Sequence, residues 1–315
     1  MKPVPKLAFF AEVLGLTFDR RCYEQIKLAF LGDPHIPKTK AGFSSLRLLG
    51  PRMGIPLWFG HSFRKRHIII INLFNHRQTP IEDGWSVQKK QVEDFRGKRL
   101  TYDSHNGTDF AVPVGTRVLS AAKGKIVWIS DELNRGGKKI FIDHGEGLMT
   151  TYAHLARSTV EVGEVVDQGQ QIAWSGYSGI DAVISFPFGI PHVHFNVWFN
   201  GVAVDPFAYG LDDSFWLHGM PSFENDQSGY EPSVYSEERV SEGISKCLDK
   251  KIRDDLAGRS NLEMRASGLL IQQNYYPTRF QERIIPYQNT YTRSPRLRIP
   301  FGEDDFDTVV FRDEV

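Results

Sequence analysis

Between about residues 101 and 210, short runs rich in β-branched residues alternate with glycine-centred turns, at 118–121, 125–129, 139–142, 148–153, 171–174 and 192–199. Runs this short, bounded by turn residues, predict strands of a largely antiparallel sheet. In 192–199 the alternation sets Val193, Phe195 and Val197 on one side and His192, His194 and Asn196 on the other, because successive strand residues face opposite ways. The apolar side belongs in a core, so both imidazoles project together into whatever cleft the sheet borders. A five-residue echo, Val114-Gly115-Thr116-Arg117-Val118 against Val162-Gly163-Glu164-Val165-Val166, predicts two tight turns at which glycine accepts dihedrals that other residues resist.

The flanks follow other patterns. Tyr23, Ile26 and Phe30 line one face of a predicted short helix stopped by Gly32. The isoleucines at 68–71 are too few to cross a bilayer and predict a buried strand. Residues 79–99 are polar and predict a connector. Val240, Ile244, Leu248, Ile252 and Leu256 recur every fourth position and predict one amphipathic helix capped by Gly258. Residues 269–271 and 309–311 read as strand-like. The expected architecture is mainly β: an antiparallel β-domain over 101–210, with mixed α/β extensions at 1–100 and 211–315.

Composition excludes some classes of function. With 41% hydrophobic and 24% charged residues, the 315-residue chain can bury a core. Thirty-eight basic residues balance 38 acidic ones, which lacks the basic surplus of a nucleic-acid binder. Arg64-Lys65-Arg66 reads as a solvated turn. The two cysteines, Cys22 and Cys247, form no framework or zinc-finger spacing and leave one long-range bridge open. The N-terminus has a basic start, but its apolar run is broken by Glu12 and no small-residue cleavage site follows. That makes a poor secretory signal and predicts a soluble chain of open compartment, without a transmembrane segment.

Three segments gather chemistry. The first is the pair His192 and His194, spaced so that one can hold a metal while its neighbour reaches substrate or water; taken alone, the pair reads first as two solvent-facing histidines on a half-buried strand. The second is His105-Asn106-Gly107-Thr108-Asp109. Its Asn-Gly dipeptide predicts a turn that sets Asp109 at the start of a strand beside His105, and both are suitable zinc ligands. The same segment also fits a surface turn whose aspartate caps nearby amides. The third is Thr151-Tyr152-Ala153-His154-Leu155, where an unbroken strand gives His154 and Tyr152 one face. His144 reads as structural, and His35, His61, His67, His76 and His218 have no patterned neighbours. Together His105, Asp109, His154, His192 and His194 match a one-zinc hydrolytic site, with three ligands, one position left to water, and two histidines for protons.

In order and spacing these segments resemble the lysostaphin/LytM-type zinc metallopeptidases, from about His105 to Phe207, roughly a third of the chain. His105 to Ala111 resembles that family's His-x-x-x-Asp box, and Gly137 to His144 with Tyr152-Ala153-His154-Leu155 its central hairpin. Val162-Gly163, Gly169-Gln170 and Ser175-Gly176 match its spaced turns. Pro191-His192-Val193-His194-Phe195 resembles its His-x-His box, and Val204-Asp205-Pro206 its close. The resemblance implies one zinc per chain held by His105, Asp109 and His194, with His154 and His192 as the catalytic pair. It implies direct attack of water on a peptide bond, in peptidoglycan stem peptides or cross-bridges, with no acyl-enzyme. Zinc brings the pKa of a water towards about 7, where histidine can take or return a proton.

Two departures stand out. Residues 177–190 are longer and more apolar than the family's short turn, which predicts an altered cleft border and substrate choice. Asn196 stands where an acidic residue is frequent, which predicts altered support for His194. Two other classes compete. One is a non-catalytic interaction protein on the same scaffold, but such members have typically lost ligands. The other is a lipoyl or biotinyl carrier, for which Lys123 and Lys125 lack the flanking sequence. A peptide or peptidoglycan partner is therefore expected; the bond cut and the oligomeric state stay open.

Overall fold

The computed structural model describes residues 9–16, 20–31, 35, 38–81, 84–225 and 229–315. Its strands are β1 (His67–Asn72), β2 (Thr108–Ala111), β3 (Arg117–Leu119), β4 (Gly124–Glu132), β5 (Gly137–Asp143), β6 (Leu148–Ser158), β7 (Val165–Val166), β8 (Gln171–Ser175), β9 (His192–Phe199), β10 (Val202–Val204) and β11 (Thr308–Phe311). The helices are α1 (Phe9–Leu14), α2 (Arg20–Leu31), α3 (Pro51–Trp58), α4 (Ile180–Ser185), α5 (Glu237–Ser245), α6 (Lys250–Ala257) and α7 (Leu262–Tyr275). The chain is thus sheet-rich, as its alternation predicts. Both echo glycines, Gly115 and Gly163, adopt positive φ ahead of β3 and β7.

The main sheet runs β11-β1-β2-β9-β6-β5-β4-β7, with β10 on β9 and β8 linking β6 to β3. All pairings are antiparallel except β1 with β11. The isoleucine strand and a C-terminal strand therefore extend the same sheet that carries His192 and His194. One face packs Phe110, Val193, Phe195 and Tyr152 against Trp216, Leu297, Ile299 and Phe301. Each such large apolar side chain contributes on the order of 1.5–3 kcal/mol. The other face is divided. At one end Ile69, Ile71 and Ala111 pack on Met53 and Leu57 of α3 and on Ile190. At the other, Phe141, Met149 and Trp198 pack on Leu269 and Leu270 of α7. Between these apolar patches lies a polar strip.

Several expectations need correction. The single helix through Val240 and Leu256 is two, α5 and α6, because Asp249 caps a fresh start by accepting from the backbone of Lys251 and Ile252 at 2.9 and 3.2 Å. Leu248, placed on the apolar stripe, lies exposed in the break. Gly258 does end α6, but with φ −78° rather than a left-handed cap. Residues 269–271 are helical, inside α7, which is buried on most of its circumference. Its apolar run therefore carries no single-face stripe. Helix α2 forms where predicted, yet Tyr23 points to solvent and Cys22 is buried instead; the stop at Gly32 lies outside the described residues. Cys22 and Cys247 do not form a disulfide with each other. Among the described residues no helix is long and apolar enough to cross a membrane, and the first eight residues of the N-terminal signal reading are not described.

Candidate metal centre

Neighbouring strands deliver the candidate ligands in one transverse row. Asn72 lies opposite Asp109, Asp109 opposite His194, and His194 opposite Ala153, across β1, β2, β9 and β6. Directly opposed residues share a face, so a carboxylate and an imidazole meet at one point. His192, opposite Ala111, follows two residues away on that face. His105 arrives from the loop before β2. A Cβ on Gly107 would lie 2.7 Å from the Phe195 carbonyl and 2.9 Å from His194 Cε1, so glycine is what lets this turn press against β9. Asn196 Nδ2 ties the turn down, donating to the Asn106 carbonyl at 2.8 Å and to its Oδ1 at 3.0 Å. The departure at Asn196 thus bears on the His105 turn and makes no bond to His194.

His194 Nδ1 is 2.6 Å from Asp109 Oδ1, His105 Nε2 is 3.1 Å from the same oxygen, and the two nitrogens are 3.2 Å apart. His105 and Asp109 are almost wholly shielded from water. Tetrahedral zinc with bonds of about 2.0–2.2 Å to nitrogen and oxygen needs donor atoms roughly 3.3–3.6 Å apart, so the three fit an ion after opening by about 1 Å or less. The remaining atoms are held in place. His105 Nδ1 donates to the Leu73 carbonyl at 2.6 Å, leaving Nε2 as the lone-pair nitrogen, and Asn72 Nδ2 donates to Asp109 Oδ2 at 2.8 Å. Such partners fix tautomer and ring orientation. Burial alone would push the Asp109 carboxyl up; the surrounding His105, His192 and His194 outweigh it and hold it well below the usual carboxylate range.

His154 and His192 stand beside this group with ring centroids 4.8 Å apart. Each donates from Nδ1 at 2.7 Å to a backbone carbonyl, of Ser178 and Ile190 respectively, which leaves each Nε2 free to accept a proton. His192 Nε2 lies 3.7 Å from Asp109 Oδ1. The reading that Tyr152 and His154 share a face is overturned. Tyr152 is in the core, its hydroxyl accepting from Ala121 N at 2.8 Å. His154 has φ +61°, rare outside glycine, and the pairing of β6 shifts around it. This bulge turns the ring onto the polar strip, and bulges re-aim side chains in this way. Burial, reinforced by His192, holds the His154 imidazole well below its ordinary range, and burial against the opposing pull of Asp109 also lowers His194. Both are therefore neutral at pH 7.

The long segment after Ser175-Gly176 does border the cleft. It contains α4 and is pinned by Trp58, whose Nε1 donates to the Gly189 carbonyl at 3.0 Å. Ile184, Phe188 and Ile190, with Leu46, Leu48 and Leu49, make one wing of the cleft apolar. Asn134, Arg135, Trp198 and Tyr275 line the other. Asn72, Tyr102 (its ring 4.5 Å from His105) and Arg135 escaped sequence reasoning. Asn72 alone had a signal, as the polar end of an isoleucine run. His144 is structural as expected, and His76 proves so too, 2.7 Å from Asp205 and stacked on Tyr209.

Residues 103–206 match Peptidase family M23. The chain is similar to an "Uncharacterized metalloprotease" of Haemophilus influenzae, 34% identical over 123 residues, covering 39% of this chain and 24% of that protein. It is also similar to the peptidoglycan DD-endopeptidase ShyA of Vibrio cholerae, 32% identical over 131 residues, covering 40% and 28%. The match thus spans only about a quarter of either relative's length. Among solved structures, a zinc containing peptidase from Vibrio cholerae is 28% identical, with a TM-score of 0.33 over 47% of this chain and 41% of that one.

Proposed function

We propose that the M23 peptidase-family domain at residues 103–206 is a zinc-dependent endopeptidase that hydrolyses peptide bonds in peptidoglycan stem peptides or cross-bridges. The observation that carries this reading is the convergence of His105, Asp109 and His194 on one point, unmatched among the described residues, with two further imidazoles beside it. His105, Asp109 and His194 would hold the ion. When bound, zinc supplies Lewis acidity and brings a water's pKa towards about 7. His154, neutral and with Nε2 free, takes a proton from the attacking water and returns one to the departing amine. His192, once its Nε2 carries a proton, would donate to the carbonyl oxygen as negative charge builds there, since an oriented donor at that atom lowers the barrier. The buried walls exclude bulk water and strengthen both interactions. The peptidoglycan substrate is supported by the name of the relative ShyA. The segments outside 101–210 complete the cleft: β1 supplies Asn72, and α7 helps form the far wall.

The test is digestion of purified peptidoglycan with products weighed by mass spectrometry. New peptide termini should appear, disappear with a chelator, and return with about one zinc per chain. Metal-free protein that binds peptidoglycan without cutting it would instead identify a non-catalytic member of the fold.

A further inference from the structure

Arg135 occupies the turn between β4 and β5, beside the centre described above. Its neighbours already have partners. Lys139 Nζ lies 2.8 Å from Glu132 Oε2 and donates to the Arg135 carbonyl, while Lys138 Nζ lies 2.7 Å from Asp131 Oδ2. Arg135 has no such partner. Its Nη2 is buried with no hydrogen-bond acceptor, and among the described residues no carboxylate forms an ion pair with it. The rings of Trp85 and Tyr276 stand 5.6 and 5.8 Å from its guanidinium carbon, and Glu132, already paired with Lys139, attracts it without bonding to it. Asp181 on the same cleft attracts it from a distance but is itself exposed to water. A buried guanidinium donor without an acceptor is destabilising, and an anion entering the cleft would supply the missing acceptor.

The position is also specific. The next residue, Gly136, accepts the His154 backbone N–H through its carbonyl at 2.8 Å, so the Arg135 turn is tied to the bulge that aims His154. Arg135, His154 and His194 line one cleft, whose walls also present Asn134 Oδ1 and Trp198 Nε1, both buried and unpartnered. The opposite wing is apolar. A planar five-donor fork suits a carboxylate better than any other common peptide group.

We propose that Arg135 anchors a free carboxylate of the substrate, so that the cleft selects peptides carrying one within about a residue of the bond cut. The proposal rests on the endopeptidase reading above and names its substrate class.

The experiment uses the zinc-loaded full chain and cross-linked stem peptides whose free carboxylates are either native or converted to primary amides. Hydrolysis gives kcat/KM, and calorimetry on chelator-treated protein gives binding without turnover. The wild type should prefer the carboxylate form by about ten- to a hundredfold, the range of one charge-assisted hydrogen bond. Arg135→Gln should bring that ratio close to one by losing only the carboxylate form, and Arg135→Lys should restore part of it. Equal loss on both forms, or no preference in the wild type, overturns the anchor and leaves the peptidase reading intact. A carboxylate preference in binding that Arg135→Gln abolishes, without cleavage of either form, supports the anchor while the peptidase reading fails.

Discussion

Asn72 donates to Asp109 Oδ2 at 2.8 Å across the β1–β2 pairing, so a strand far upstream of the histidine motifs orients the carboxylate proposed to hold the metal. The other oxygen of Asp109 faces His105 and His194. Asn72→Ala leaves a buried carboxylate oxygen without its donor and frees the group to rotate. Zinc affinity should fall about ten- to a hundredfold, with the circular dichroism spectrum unchanged. Competition with a chromophoric chelator measures it, and an affinity equal to that of the wild type would show that Asp109 is oriented by the sheet alone.

The two kinds of histidine should separate cleanly in substitution. His105→Ala removes a donor atom whose ring is fixed by the Leu73 carbonyl, and the purified variant should lack zinc. His154→Ala removes no donor from the three-atom group, so zinc content should stay near one per chain while kcat drops roughly 10²- to 10⁴-fold. Elemental analysis beside a turnover assay reads both. A fully active His154→Ala would reassign proton transfer to another group.

How much of this was readable beforehand depends on whether a local rule decided the geometry. The facing of His192 and His194 follows from strict alternation, and Asp109 follows from a turn dipeptide leading into a strand; both are short-range. His154 sits on its strip only because β6 bulges at a positive φ, a distortion imposed by contacts with Gly136 and Gly176. Alternation in one strand contains no trace of it. The break at Asp249 was hidden because its two apolar stripes happen to share a period across the gap. Asn72 and Arg135 reach the cleft through sheet order and a hairpin's fold against β6, which are long-range facts. The apolar character of residues 177–190 was plain, and its place on the cleft wall follows from Trp58 binding the Gly189 carbonyl.

A last prediction concerns stability rather than catalysis. His144 is fully buried in the turn between β5 and β6. Its Nδ1 donates to the Lys123 carbonyl at 2.9 Å, and its Nε2 lies 2.7 Å from Thr150 Oγ1. Burial pulls its pKa down to about 3. In the unfolded chain the ring protonates near 6.5. Above that pH neither state binds the proton and His144 adds no pH dependence. Below it the unfolded state binds one more proton than the native state, so stability falls by about 1.4 kcal/mol per pH unit until the native pKa is reached. Between pH 7 and pH 4.5 the loss from this residue should be about 2–3 kcal/mol. Urea midpoints of chelator-treated protein at the two pH values, compared with those of His144→Gln, isolate it. The variant should be less stable at pH 7, having lost a fitted hydrogen-bond pair, yet lose less on acidification. Parallel pH profiles for the two proteins would mean that the acid sensitivity arises elsewhere, His154 being the next buried neutral imidazole in line.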